Sequence, residues 1–489
     1  MRRAQQGFRT LGPRRWLVAS VVVFGLLVLW PGSTAAAADI NWRQFEGTTL
    51  RVLLSQSHWQ AIVGTYLPEF EELTGIKLAL EVHTQPELWN VLETGLRQPG
   101  RVDVFMTVPA LDGRRYLRAG GVHPVNDFLR DPSLTAKEYN WEDFFTKARA
   151  AMEVEGAILG PPVMAEHLAL LYRKDLFQQH KIAVPRTLEE LEAAARFFHK
   201  KPFGNGGEPL VGLVSRGQGP YATSLYAGIL HAMGTTWVDG NNRPTVNSPK
   251  GVAALQYLGN LLRQYGPPNV VNFGWQEASA LFREGKAAIY VEGSSVYPII
   301  EQNSTSGVVG KVGYAVFPSG PGGSGTTVAV RGLAIAKQSA NPKAAWLFVQ
   351  WATSPKMVQR ALIKGVLVSR ESTWRDKSLY DGEIPNDLAQ SFQEAGRSGT
   401  PHWAPPLVSV AAAREALGKA ITAAIRGENV KAAADLAARQ LTELLLTTEG
   451  VAPRSARVRP YPHPGIPRGV MHPAPRGMIS DRPAELLTT

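Results

Sequence analysis

Four aromatic residues stand in loops, beside small and polar neighbours. Trp59 follows the first expected strand, and Tyr221 closes the loop Arg216-Gly217-Gln218-Gly219-Pro220-Tyr221. Trp275 follows Gly274, and Trp403 sits in His402-Trp403-Ala404-Pro405-Pro406. A flat ring in such a setting suits a solute with apolar C–H faces and a polar rim, as a sugar has, with carboxylates and amides around it. The other reading is that each ring anchors its own loop on a core. A carboxylate that could serve such a site is Glu166, within the stretch Pro161–Phe177. Pro161 and Pro162 fix φ and withhold two backbone donors, so the chain enters extended. The polar pair Glu166-His167 follows, then an apolar run from Leu168 to Tyr172 and the charged Arg173-Lys174-Asp175. This is either a buried strand with a solvated lead-in or a hinge between two lobes with Glu166 facing a cleft.

Most catalytic chemistry finds no signature. No P-loop, HExxH or GxSxG motif can be read, and Gly322-Gly323-Ser324-Gly325 lacks the closing glycine of the last. The ten histidines show no metal-ligand spacing, so neither a metal nor a cofactor is expected. The net charge of +11 sits at the ends: residues 1–38 carry +5 and residues 453–489 carry +4, leaving +2 between them. A nucleic-acid partner therefore loses its main support. Arginines ahead of an apolar stretch from Trp16 to Trp30, then Ala36-Ala37-Ala38, read as a signal peptide over 1–38 rather than a spanning helix, which needs about 20 apolar residues. There is no cysteine, hence neither a disulfide framework nor a thiol for lipid attachment. A soluble, exported monomer is expected, followed by a disordered Pro- and Arg-rich tail over 451–489.

At 489 residues the chain exceeds one compact core, and two domains are expected. Strands at 49–55, 77–83 and 102–108 alternate with helices at 61–73 and 88–96, the βαβαβ order of a mostly parallel sheet. Thr187-Leu188-Glu189-Glu190 is a capping box opening a helix. Strands at 211–215, 287–291, 312–317 and 328–336 follow, with helices at 251–265, 342–352, 408–425 and 430–446.

Several stretches in order resemble the bacterial extracellular solute-binding proteins of ABC importers, in particular their carbohydrate-binding group. They are Phe70-Glu71-Glu72-Leu73-Thr74-Gly75-Ile76-Lys77, Val102-Asp103-Val104-Phe105, Pro161–Phe177, Phe282-Arg283-Glu284-Gly285-Lys286-Ala287-Ala288, and Arg331–Ile335 with Asn341–Ala345. The resemblance implies an α/β fold of two lobes joined by crossing segments, with ligand held between them and closure by hinge bending. It implies lobe 1 over 39–160 and 298–345, and lobe 2 over 161–297 and 346–450. Glu166 then stands where the family has a crossover carboxylate, Tyr221 where it has a stacking aromatic, and His58 and Trp59 in the loop after the first strand. Gly293-Ser294-Ser295 stands where the family often carries a tryptophan. With Trp275, Arg331 and Trp403, these form the expected ligand-binding set. A small carbohydrate ligand and the transmembrane subunits of a permease are the implied partners. Arg216, Arg331 or Arg370 in the cleft would favour an anion such as a phosphorylated polyol, and a carboxylate box a polyamine. A polysaccharide hydrolase would need two facing carboxyl groups.

Overall fold

The computed structural model describes residues 40–202 and 209–450; the expected export segment and basic tail lie outside the described residues. The first part alternates as expected: β1 (Thr49–Ser55), α1 (His58–Thr74), β2 (Lys77–His83), α2 (Gln85–Gly95) and β3 (Val104–Thr107). β1 lies parallel between β2 and β3, with Thr49 opposite Lys77 and Val52 opposite Val104. α1 begins three residues before the apolar pattern suggests, because the Ser57 hydroxyl caps it, accepting the Gln60 N–H at 3.1 Å. That cap draws Trp59 into the first helical turn.

Five longer strands follow among the described residues: β4 (Pro162–Arg173), β5 (Val211–Val214), β6 (Ala287–Gly293), β7 (Val312–Val316) and β8 (Val328–Ala336). Among the described residues the further helices of eight residues or more are α3 (Leu188–Phe198), α4 (Thr223–Ala232), α5 (Pro249–Tyr265), α6 (Trp275–Arg283), α7 (Pro342–Ala352), α8 (Pro355–Leu362), α9 (Asn386–Ser398), α10 (Val410–Arg426) and α11 (Val430–Thr448). The Thr187 capping box is present: Glu190 N–H donates to the Thr187 hydroxyl at 3.2 Å.

β4 organises the molecule. It spans twelve residues and takes in Glu166-His167, which the sequence pattern leaves in a lead-in. Its first half pairs antiparallel with β8, Ala329 opposite Glu166 and Val328 opposite His167. Its second half lies between β6, with Leu168 opposite Gly293, and β7, with Val312 opposite Arg173. The strand order is β2-β1-β3-β8-β4-β6-β5, with β7 also on β4. Parallel pairs thus make up the outer part of each lobe, and the long antiparallel strands β8 and β4 join them. Entry to β4 needs Gly160: at φ 154° its missing Cβ would stand 1.8 Å from the Leu333 carbonyl oxygen, backbone that cannot yield.

The described residues form two large hydrophobic clusters. The first gathers Val52, Val104, Val163 and Leu333; the second gathers Leu168, Leu170, Leu213 and Ile289. The first also runs behind the crossing strand through Ala169, Leu171 and Tyr290. Part of the stretch from residue 346 onward, expected in lobe 2, packs with the first cluster. Trp346, Phe348, Val368 and Phe392 all pack in the first cluster. α7 is apolar nearly all round and so must be buried on several sides; Phe348 and Trp351 each meet Phe70 of α1 at 5.3 Å. Arg370 belongs to the same packing. It is fully buried, donates to the Tyr139 and Thr353 carbonyls at 2.6 and 2.9 Å, and pairs with Asp143.

Candidate functional site

Where the two sheets meet at β4 the molecule has a cleft of about 420 Å³. Glu166 reaches it from the joint itself. Its carboxylate accepts the Ser295 hydroxyl and lies so close to Gly293 that a Cβ there would stand 2.6 Å from Glu166 Oε2. A side chain at 293 would therefore displace the Glu166 carboxylate from its present place. Arg331 of β8 lines the cleft on the lobe 1 side, together with Gln85 and Trp89 of α2. The two α2 residues are four apart, hence on one helix face. Beneath them Asp112 accepts the Trp89 indole N–H at 3.0 Å and the Val108 N–H at 3.3 Å, and the Thr107 hydroxyl donates to its other oxygen. Burial nevertheless dominates and pushes the Asp112 carboxyl up to about 6.

The lobe 2 wall is aromatic. Tyr221 is 50% exposed, Trp275 37% exposed, and Trp403 half-buried. Arg414 of α10 ties two of these together. Its guanidinium carbon lies 6.0 Å from the Tyr221 ring centre and 5.8 Å from that of Trp403. Its Nε donates to the Pro220 carbonyl at 3.1 Å and the Thr223 hydroxyl at 2.8 Å. α10 can approach that loop because Gly418, one turn along, would place a Cβ 2.5 Å from the Pro220 nitrogen. Burial, followed by the nearby Arg216 charge, lowers the Arg414 pKa to about 10.

Arg216 itself pairs with buried Glu292. Nε donates to Oε2 at 2.7 Å, the other arm donates to Oε1, and the Gly293 N–H donates to Oε1 at 2.8 Å. Burial opposes the Arg216 charge, but the Glu292 charge and hydrogen bonds outweigh it and raise its pKa. Both Glu292 oxygens are therefore committed.

Six of the nine residues expected from the sequence line this cleft: Glu166, Tyr221, Trp275, Gly293, Arg331 and Trp403. Three do not. Trp59 is fully buried in the first core, because the Ser57 cap turns it inward. His58, its neighbour, points to a separate polar cavity with Glu301 and Asn386. Ser294 is buried and its hydroxyl accepts the His167 N–H at 3.1 Å, a brace across the joint. Sequence reasoning missed Gln85, Trp89, Glu292 and Arg414. Gln85, Leu88, Trp89 and Leu92 fall at the i, i+3, i+4, i+7 spacing of one helix face, so a polar Gln85 at the head of that otherwise apolar stripe was a usable signal for Gln85 and Trp89; Arg414 had none.

The family model described as bacterial extracellular solute-binding protein matches residues 54–359. The mannitol-binding protein of Pseudomonas aeruginosa is 28% identical over 278 residues, which are 54% of this chain and 62% of that protein. This chain thus spans under two thirds of that relative's length. The erythritol/L-threitol-binding protein of Mycolicibacterium smegmatis is 25% identical over 354 residues, 68% of this chain and 72% of that one. A solved ABC transporter solute-binding protein of Agrobacterium radiobacter, in complex with ribitol, superposes with a TM-score of 0.68 at 25% identity, covering 82% of this chain and 99% of that one.

Proposed function

We infer function from one premise: the chain belongs to the family of bacterial extracellular solute-binding proteins. It is the extracytoplasmic binding component of an ABC importer, taking a sugar or polyol between its lobes and handing it unaltered to the membrane permease. The observation that carries this reading is the make-up of the cleft at the β4 joint. One wall offers the rings of Tyr221, Trp275 and Trp403; the other offers the polar groups of Gln85, Glu166 and Arg331. Rings stack on C–H faces and the polar wall takes hydroxyls, so the two together fit a polyhydroxylated solute. The polyol-binding relatives support the same class. Among the described residues no helix is long and apolar enough to cross a membrane.

Closure is rotation of the lobes about β4, whose two halves belong to different sheets. Release follows from the modest affinity that a few stacking contacts and hydrogen bonds give, in the micromolar range or ~8 kcal/mol. A catalytic reading lacks a free acid pair. The cleft-lining carboxylates are Glu166 and Glu292, and Arg216 engages the second. The same count disfavours a polyamine. An anionic polyol is the second reading, favoured by Arg331 and Arg414, neither of which forms an ion pair among the described residues.

The test is calorimetry and thermal shift with ribitol, erythritol, D-mannitol, maltose, a polyol phosphate and spermidine. A sugar or polyol at 100 times its Kd should stabilise the protein by about 2.7 kcal/mol, and Tyr221→Ala should weaken it about tenfold. Stabilisation by spermidine alone, or product release from a glycan, overturns the assignment.

A further inference from the structure

Among the described residues, two side chains have both polar atoms buried without a hydrogen-bond partner: Gln85 and His167. Such groups are rare in folded proteins, because water lost from a buried donor or acceptor must be replaced by something. His167 follows Glu166 on a strand, where successive side chains point to opposite faces; its ring packs 6.2 Å from that of Phe392. Gln85 is different. It lines the cleft at the first turn of α2, one helical turn from Trp89. The neighbouring cap is already complete without it, since the Glu87 carboxylate accepts the Thr84 N–H at 2.9 Å. The amide is therefore unused by the helix, by the core and by the opposite wall.

We propose that Gln85 is a ligand-reading residue whose amide brackets two adjacent hydroxyl groups of the bound solute. A glutamine amide sets one acceptor and one donor side by side. Neighbouring hydroxyls, each able to donate and accept, match that pair; a lone hydroxyl or a methylene leaves one amide atom unsatisfied. The requirement is for a vicinal diol on the edge of the solute facing α2, with the opposite C–H face on Tyr221 and Trp403. A site built to hydrogen-bond a substrate group rejects analogues lacking it more strongly than an apolar site does. This rests on the polyhydroxylated-solute reading and adds a residue and a stereochemical demand to it.

Gln85→Met keeps length and approximate volume while removing both polar atoms. If the amide has no work inside the fold, the ligand-free variant should melt at the wild-type temperature or above it, since replacing an unsatisfied buried polar group with an apolar one is neutral or stabilising. The same variant should bind ribitol, erythritol and D-mannitol at least tenfold more weakly in calorimetry. It should also lose the wild-type discrimination between ribitol and its monodeoxy analogues. A melting temperature lowered by more than about 3 °C means that the amide supports the fold, and overturns the proposal. So does affinity within twofold of wild type. If wild-type protein binds no member of the panel, the functional reading fails on its own ground, while the ligand-free melts still decide whether Gln85 is spent within the fold.

Discussion

Replacing Asp112 by asparagine tests the electrostatics beneath the cleft. Three donors, Thr107 hydroxyl, Trp89 indole and Val108 amide, would ordinarily hold this carboxyl low, yet its pKa rises from 3.8 to about 6 because the group is fully buried. The folded protein thus holds a proton on Asp112 across a window in which the unfolded chain has released it. Its contribution is fully present below pH 3.8 and is lost as pH rises through about 6. From 3.8 to about 6, at 1.36 kcal/mol per pH unit, the change amounts to about 3 kcal/mol. Asparagine keeps an acceptor for Trp89 and Val108, offers its amide to the rotatable Thr107 hydroxyl, and never ionises. Relative to wild type, Asp112→Asn should therefore gain stability between pH 4 and about pH 6 and level off above it, by up to about 3 kcal/mol in all. Urea unfolding of both proteins at half-unit steps measures this directly. A stability difference that stays flat across the window, or that falls as pH rises, refutes the burial argument.

Two further outcomes follow from the packing. Glu292→Gln leaves the Arg216 guanidinium without its counter-charge and should cost about 3–5 kcal/mol in unfolding free energy, whereas the double change Arg216→Met with Glu292→Leu should recover most of it; a loss below 1 kcal/mol in the single variant would mean solvent already screens the pair. Trp59→Ala should cost about 3–5 kcal/mol of stability yet leave the affinity of the folded protein for its solute unchanged, and a selective loss of binding measured by calorimetry would return Trp59 to the site.

Much of the chain was legible because it depends on near neighbours. The alternation from β1 to β3, the Thr187 capping box, β8 at 328–336 and α7 at 342–352 all rest on periodicity and caps within a few residues. The loop aromatics were legible for a related reason. Tyr221, Trp275 and Trp403 stand beside glycine and proline where a core would not place them, and all three line one cleft. Local chemistry could also mislead. The Ser57 cap advanced α1 by one turn and carried Trp59 into the core, a choice between two faces that no short pattern decides.

Sequence alone therefore determined the order of elements, their periodic faces, the family, and the kind of side chain that could meet a polyhydroxylated solute. Tertiary structure decided which of those side chains meet. It made β4 a strand shared by two sheets, packed Trp346, Phe348, Val368 and Phe392 into the first core, paired Arg216 with Glu292, and brought Arg414 to a hydroxyl 191 residues away at Thr223. The reason is that caps and periodicity act over three or four residues, whereas a cleft is the space left when distant faces have buried all the apolar surface they can.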